Sequence, residues 1–273
     1  MTSAATPTST VRTVAVGTAR VAYDLTGTGP RPPLLLVHGT GSAGAALTWG
    51  NIVPRFADSR TVITPDLSGT ERTTDDGGPL SVEGLAAQII AVIEDAALGP
   101  VDLLGFSLGS PVSAAVAARR PDLVRRLVLV AGWAHTDGDE YLRNLFTLWQ
   151  RIGDNDPAAF GRSVTMTGFS RAFLNTIGRD EVEALIPNMP PTPGTLRHVD
   201  LNLRIDIRAL LPRIEAPTLV IGNAQDATVP VDHSRALHDA IAGSAYVELD
   251  AGHVVLFERT DEFTDRVTAF LAE

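Results

Sequence analysis

The chain contains no cysteine among its 273 residues, and no lysine: all 22 basic side chains are arginines. The first absence excludes disulfides, thiolate nucleophiles and every cysteine-ligated metal site. The second excludes Schiff-base chemistry, a lysine general base and a P-loop lysine. Basic blocks are missing as well, and 32 acidic side chains give a net charge of −10, which argues against nucleic acid or an anionic membrane surface as a partner. No run approaches the roughly eighteen apolar residues of a membrane-spanning helix. Met1–Arg12 is rich in Ser, Thr and Ala without an apolar stretch, so it does not read as a signal peptide. The expectation is a cytoplasmic protein whose partner is a small molecule, with neither nucleic acid nor membrane.

What remains is a globular composition, 44% hydrophobic and 20% charged. Val11–Val16 and Val21–Leu25 predict a hairpin around Gly17. Leu34–Val37, Thr61–Thr64, Val101–Gly105, Leu127–Val130, Thr218–Ile221 and Ala245–Leu249 predict further strands, several of them apolar throughout, as in a mostly parallel sheet covered on both faces. Helical patterns at Val82–Ala97, Leu108–Arg119, Val231–Ile241 and Asp261–Leu271 separate them, the first with a start signal at Ser81 and Gly84. Strand–helix alternation predicts an α/β fold with helices on both faces of the sheet. Between Ala131 and Pro217 the rhythm breaks. Tyr141–Arg151, Pro157–Val164, Asp180–Ile186 and Leu196–Ile205 read as helices with no strand among them. The predicted division is a core of residues 1–131 and 214–273, with residues 132–213 inserted as a helical cap.

Gly105-Phe106-Ser107-Leu108-Gly109 follows an apolar strand and opens a helix. This is the setting of the G-x-S-x-G nucleophile elbow, where a strained turn projects the serine oxygen above the sheet. A serine hydroxyl needs a base oriented by a third group. His253, after the last strand, and Asp226, after the strand at Thr218–Ile221, both leave carboxyl ends of strands, where open α/β sheets place their sites. Asp250 is the rival acid, with Asp137 and Asp139 weaker ones. His38 is expected to brace the glycine loop that follows it. His233 and His238 are expected on the surface, while His135 and His198 are placed within reach of a substrate. No H-E-x-x-H or comparable spacing occurs, so no metal is expected.

The loop His38–Gly44 carries two readings. Its glycines would expose the Thr40 amide, which with the Leu108 amide could hold an oxyanion. Gly39, Gly41 and Gly44 also spell G-x-G-x-x-G after a strand, with Asp66 downstream, the fingerprint of an NAD(P)-binding oxidoreductase.

Taken together, the His38-Gly39 loop, Trp49, Pro54, Pro65-Asp66-Leu67, the elbow at Ser107, Asp226 and His253 resemble an α/β-hydrolase-fold protein with a helical cap, over nearly all of the chain after about residue 12. One departure is Glu71, where that family often has glycine. The resemblance implies a cofactor-free serine hydrolase acting on a carboxylic ester or lactone. It also implies other uses of the same fold, namely C–C bond hydrolases, cofactor-free perhydrolases and non-catalytic ligand binders, so fold alone does not settle the reaction. The cap concentrates Trp133, Phe146, Trp149, Phe160, Phe169 and Phe173. Trp133, Phe146 and Trp149 are the substrate-binding candidates, Trp133 foremost because it directly follows a strand. An apolar site for small, neutral substrates is expected.

Overall fold

The computed structural model describes residues 9–273; the calls made on residues 1–8 lie outside them. In chain order the elements are β1 (Ser9–Val16), β2 (Ala19–Thr26), β3 (Leu34–Val37), α1 (Gly44–Trp49), α2 (Val53–Ala57), β4 (Val62–Pro65), α3 (Val82–Ala96), β5 (Val101–Phe106), α4 (Gly109–Arg119) and β6 (Val124–Val130). Then come α5 (Glu140–Gly153), α6 (Pro157–Gly168), α7 (Arg171–Leu185), α8 (Pro193–Asn202), β7 (Thr218–Asn223), α9 (Val231–Ala240), β8 (Ala245–Leu249), α10 (Val255–Glu258) and α11 (Thr260–Ala272). The eight strands form one sheet in the order β1-β2-β4-β3-β5-β6-β7-β8. The β1–β2 hairpin and the β2–β4 pairing are antiparallel, and every other pairing is parallel.

The central strands are buried from end to end, which is why β3 reads as an unbroken apolar run and β5 as one interrupted by Asp102, rather than as alternating strands. One face of the sheet is covered by α3, α4 and α9; α1, α2, α10 and α11 cover the other. At the edge away from the catalytic loops, Asp102 is fully buried and takes Arg60 at 2.7 Å and Arg125 at 2.7 Å. Among the described residues no helix is long and apolar enough to cross a membrane.

Helices α5–α8 lie between β6 and β7, as the break in the strand rhythm predicts. Each begins at a side chain that accepts a backbone N–H: Asp139 from Leu142, Asp156 from Ala159, Ser170 from Phe173 and Thr192 from Thr195. Pro157 and Pro193 occupy opening positions, where a missing N–H costs nothing. Two helix starts differ most from the sequence reading, while α6 ends four residues later than expected and α8 three earlier. α7 starts nine residues before the expected Asp180, because Gly178 at φ 82° kinks the helix without ending it. α8 starts at Pro193 rather than Leu196, since the Thr192 cap and the proline act together.

Candidate active site

The site sits where β3, β5, β6, β7 and β8 deliver their loops. β5 runs into Ser107, which is held in the left-handed region at φ 54°, and the chain turns directly into α4. Two glycines make that turn sterically possible. A Cβ on Gly105 would lie 2.2 Å from the Gly109 carbonyl oxygen, and a Cβ on Gly109 would lie 2.2 Å from that of Val37. The Ser107 N–H donates to the Val130 carbonyl at 2.9 Å, which ties the elbow to the next strand.

Three side chains from three loops meet there. His253 Nε2 is 2.9 Å from Ser107 Oγ, and His253 Nδ1 is 2.7 Å from Asp226 Oδ2. With Nδ1–H donating to the carboxylate, Nε2 is left to accept the serine proton. The other oxygen of Asp226 accepts the Thr228 and Val229 amides at 2.8 and 2.7 Å, so the carboxylate is fully engaged and cannot rotate away. Asn223 donates to the His253 carbonyl at 3.1 Å and fixes the second loop against the first. All three members of the chain are buried. Asp250 is directed elsewhere, toward Gln225 Nε2 at 2.5 Å. Of the weaker rivals, Asp137 is exposed and faces Arg143 at 3.7 Å, while Asp139 caps α5 and pairs with His233 at 3.0 Å.

His38 braces two loops. Its Nδ1–H donates to the Gly39 carbonyl at 2.7 Å, and its Nε2 accepts the Leu67 amide at 3.0 Å. Burial pushes its pKa down to about 4, so the ring is neutral and both contacts are compatible. The following loop bends close to the elbow, since a Cβ on Gly39 would approach Ser107 Cβ to 2.9 Å. Gly44 packs against Asp66 in the same way, at 2.2 Å from its Oδ1. Asp66 is buried and accepts the Ala45 amide at 2.8 Å, so the acid that completes the dinucleotide fingerprint is spent inside the protein. Glu71 leaves its loop closed: its own N–H donates to Ser42 at 3.0 Å, while Gly69 supplies the positive φ. Among the described residues, the Thr40 and Leu108 amides find no acceptor within the chain.

Above Ser107 lies a cavity of about 740 Å³, counting its open mouth. Phe146, Trp149 and Phe160 form its cap wall, Phe106 and Met189 narrow it, and Leu47 with Phe257 stands at the half-exposed rim. Among the described residues, His253 is the one titratable side chain that lines it. Phe146 and Trp149 are therefore where the sequence reading put them. Trp133 is not. It is fully buried outside the cavity, its ring against Phe146 and its Nε1–H donated to Thr136 Oγ1 at 3.0 Å. Following a strand does not aim a side chain into the site, because the positive φ of Ala131 turns the chain before Trp133 is reached.

The other histidines also differ from expectation. His198 does not reach the cavity but is buried at the base of the cap, with Nδ1 accepting the Gly41 amide and Nε2–H donating to the Ser68 carbonyl. His135 contacts the Asp137 carbonyl away from the cavity. His233 and His238 are half-buried rather than on the surface, the first against Asp139 and the second stacked on Tyr246. Phe106, Met189, Val164, Val254, Leu47, Phe257, Thr228 and Asn202 line the cavity without having been singled out, since apolar residues at such scattered positions carry no periodic signal. Among the described residues no group of three or more His, Asp or Glu is arranged to hold a metal.

Comparison with known proteins adds four findings. Residues 32–260 match the family model described as the alpha/beta hydrolase fold. The chain is 40% identical over 261 residues to pyrrolizixenacetamide deacetylase of Xenorhabdus hominickii, an alignment spanning 94% of this chain and 97% of that one. Among solved structures it superposes on the enol-lactonase from Burkholderia xenovorans LB400 with a TM-score of 0.84 at 23% identity, covering 96% of this chain and all of the other. It also superposes on a thermophilic esterase from Thermogutta terrifontis with a TM-score of 0.78 at 25% identity, covering 98% of each.

Proposed function

Since the chain belongs to the alpha/beta hydrolase fold family and is a serine hydrolase of that fold, we propose that it cleaves the acyl group of a small, neutral, largely apolar ester or lactone through Ser107, His253 and Asp226. The observation that carries this reading is the hydrogen-bonded run from Asp226 through His253 to Ser107 at the floor of an uncharged cavity. Ser107 Oγ attacks the acyl carbonyl as His253 Nε2 takes its proton. Asp226 holds the imidazole in the tautomer that leaves Nε2 free and stabilises the cation that forms. The Thr40 and Leu108 amides hold the tetrahedral oxyanion, a contribution of roughly 10²–10³ in rate for each donor. His253 then protonates the leaving group, the acyl chain stays on Ser107, and water repeats the sequence to release the acid.

The cavity supports the substrate class. Its lining is mainly apolar with a few polar groups, the character of a small-molecule site. An anionic acyl chain would enter it without a countercharge, because no arginine lines it. Residues 132–213 act as the cap that supplies Phe146, Trp149 and Phe160 to its wall. A second substrate class has its own support: the 40%-identical relative is named for removing an acetyl group from an amide, so small N-acyl amides belong beside esters.

A panel of acyl esters, lactones and acetamides of graded chain length, with a serine-directed phosphonate as a label, tests the reading. Turnover of neutral members is expected, with labelling that Ser107→Ala removes. A folded protein that neither turns over the panel nor takes the label would overturn it, and a strict preference for dicarboxylate monoesters would overturn the substrate class.

A further inference from the structure

We infer that α8 is a splint for the oxyanion loop, with His198 as its positioning residue. The inference rests on the reading above, in which the Thr40 amide is an oxyanion donor. Thr195, His198 and Asn202 recur at intervals of three and four along α8, which puts them on one face of the helix. Each holds a different residue of the loop that follows β3. Thr195 Oγ1 accepts the Ser42 amide at 3.1 Å, His198 Nδ1 accepts the Gly41 amide at 3.2 Å, and Asn202 Nδ2 donates to Thr40 Oγ1 at 3.0 Å. All three side chains are buried almost completely.

The loop needs such support. Gly41 sits at φ 137°, and Gly39 and Gly44 flank it, so the segment has little intrinsic preference for one path. The bond to His198 satisfies the amide next to Thr40 and thereby fixes the peptide plane on that side. His198 is itself held from behind, Nε2–H to the Ser68 carbonyl at 2.7 Å, and Gly194 lies so close to Gly69 that a Cβ would come within 1.9 Å of its oxygen. Loop, helix and the segment after β4 thus form one packed unit. Its distinctive feature is that support for the oxyanion loop comes from the inserted helices as well as from His38 at the end of β3, which holds the Gly39 carbonyl. The helical segment therefore sets the geometry of the chemistry as well as the shape of the cavity.

The decisive comparison uses two replacements that keep different halves of the imidazole. His198→Asn retains an acceptor near the Nδ1 position, and His198→Gln retains a donor near Nε2. Hydrogen exchange at Gly41 is read alongside steady-state kinetics on the best neutral substrate. His198→Gln is expected to speed exchange at Gly41 and lower kcat by about 10- to 100-fold, the scale of a misplaced oxyanion donor, with KM changed by less than about twofold. His198→Asn is expected to restore part of both. Should His198→Gln be poorly folded, Thr195→Val leaves the Gly41 and Thr40 contacts in place while removing the Ser42 contact, together with the Thr195 hydroxyl's bonds to the Pro190 carbonyl and Thr192 Oγ1, and is expected to give a smaller kcat loss with faster exchange at Ser42. Unchanged Gly41 exchange, or loosened exchange with kcat intact, would overturn the splint. A wild-type protein without turnover or phosphonate labelling would instead sink the hydrolase reading, while Gly41 exchange would still decide whether α8 holds the loop.

Discussion

Acid should unfold this protein through two buried imidazoles. His38 and His198 each use one ring nitrogen to accept a backbone N–H, from Leu67 and Gly41, so neither ring can take a second proton without facing another donor. Burial lowers both, His38 to about 4 and His198 to about 3, the latter helped by the neighbouring His38. In the unfolded chain both return to about 6.5. Below that value the unfolded state binds protons that the folded state refuses, so stability falls as pH drops. The loss stops only when each folded pKa is passed. Each histidine contributes up to about 1.4 kcal/mol per pH unit in that window. By pH 4 the two together remove several kcal/mol, a large share of the roughly 5–15 kcal/mol that a domain possesses. Asp66 works in the opposite direction, since burial raises its pKa, and softens the slope at the acid end. Urea unfolding between pH 7.5 and 4.5 checks this. The wild type should lose stability steadily, whereas His198→Gln should start lower and fall less steeply, so that the two curves converge in acid. Parallel curves would refute the reasoning, because they would mean that His198 binds its proton equally well folded and unfolded.

Asp226→Asn should lower kcat by about 10⁴-fold, because an amide favours the wrong imidazole tautomer, and Asp250→Asn should leave steady-state rates nearly unchanged; the reverse order would reassign the acid. Trp133→Ala should cost about 3–5 kcal/mol in chemical denaturation, as a buried aromatic truncated to a cavity, with little change in the order of substrate preference. Phe146→Ala should do the opposite in a chain-length series, shifting preference toward bulkier acyl groups; identical profiles for wild type and Phe146→Ala would show that this wall does not meet the substrate.

The elements that a linear pattern specifies were legible. Strands β3, β5 and β7 are mostly apolar because both their faces are covered, and the elbow at Ser107 is local, since Gly105 and Gly109 make the turn within five residues. His253 and Asp226 could be chosen because each follows a strand whose carboxyl end opens on one edge of the sheet. Tertiary structure decided which side chains face the cavity. Trp133 points away while Leu47, Met189 and Phe257, scattered over more than two hundred residues, converge on it. It also decided the fate of His198, which lies about 160 positions from the loop it supports. Strand and helix periodicities report only which face of its own element a residue occupies. Which loop that face meets depends on how α5–α8 dock over the sheet, through contacts between residues far apart in the chain.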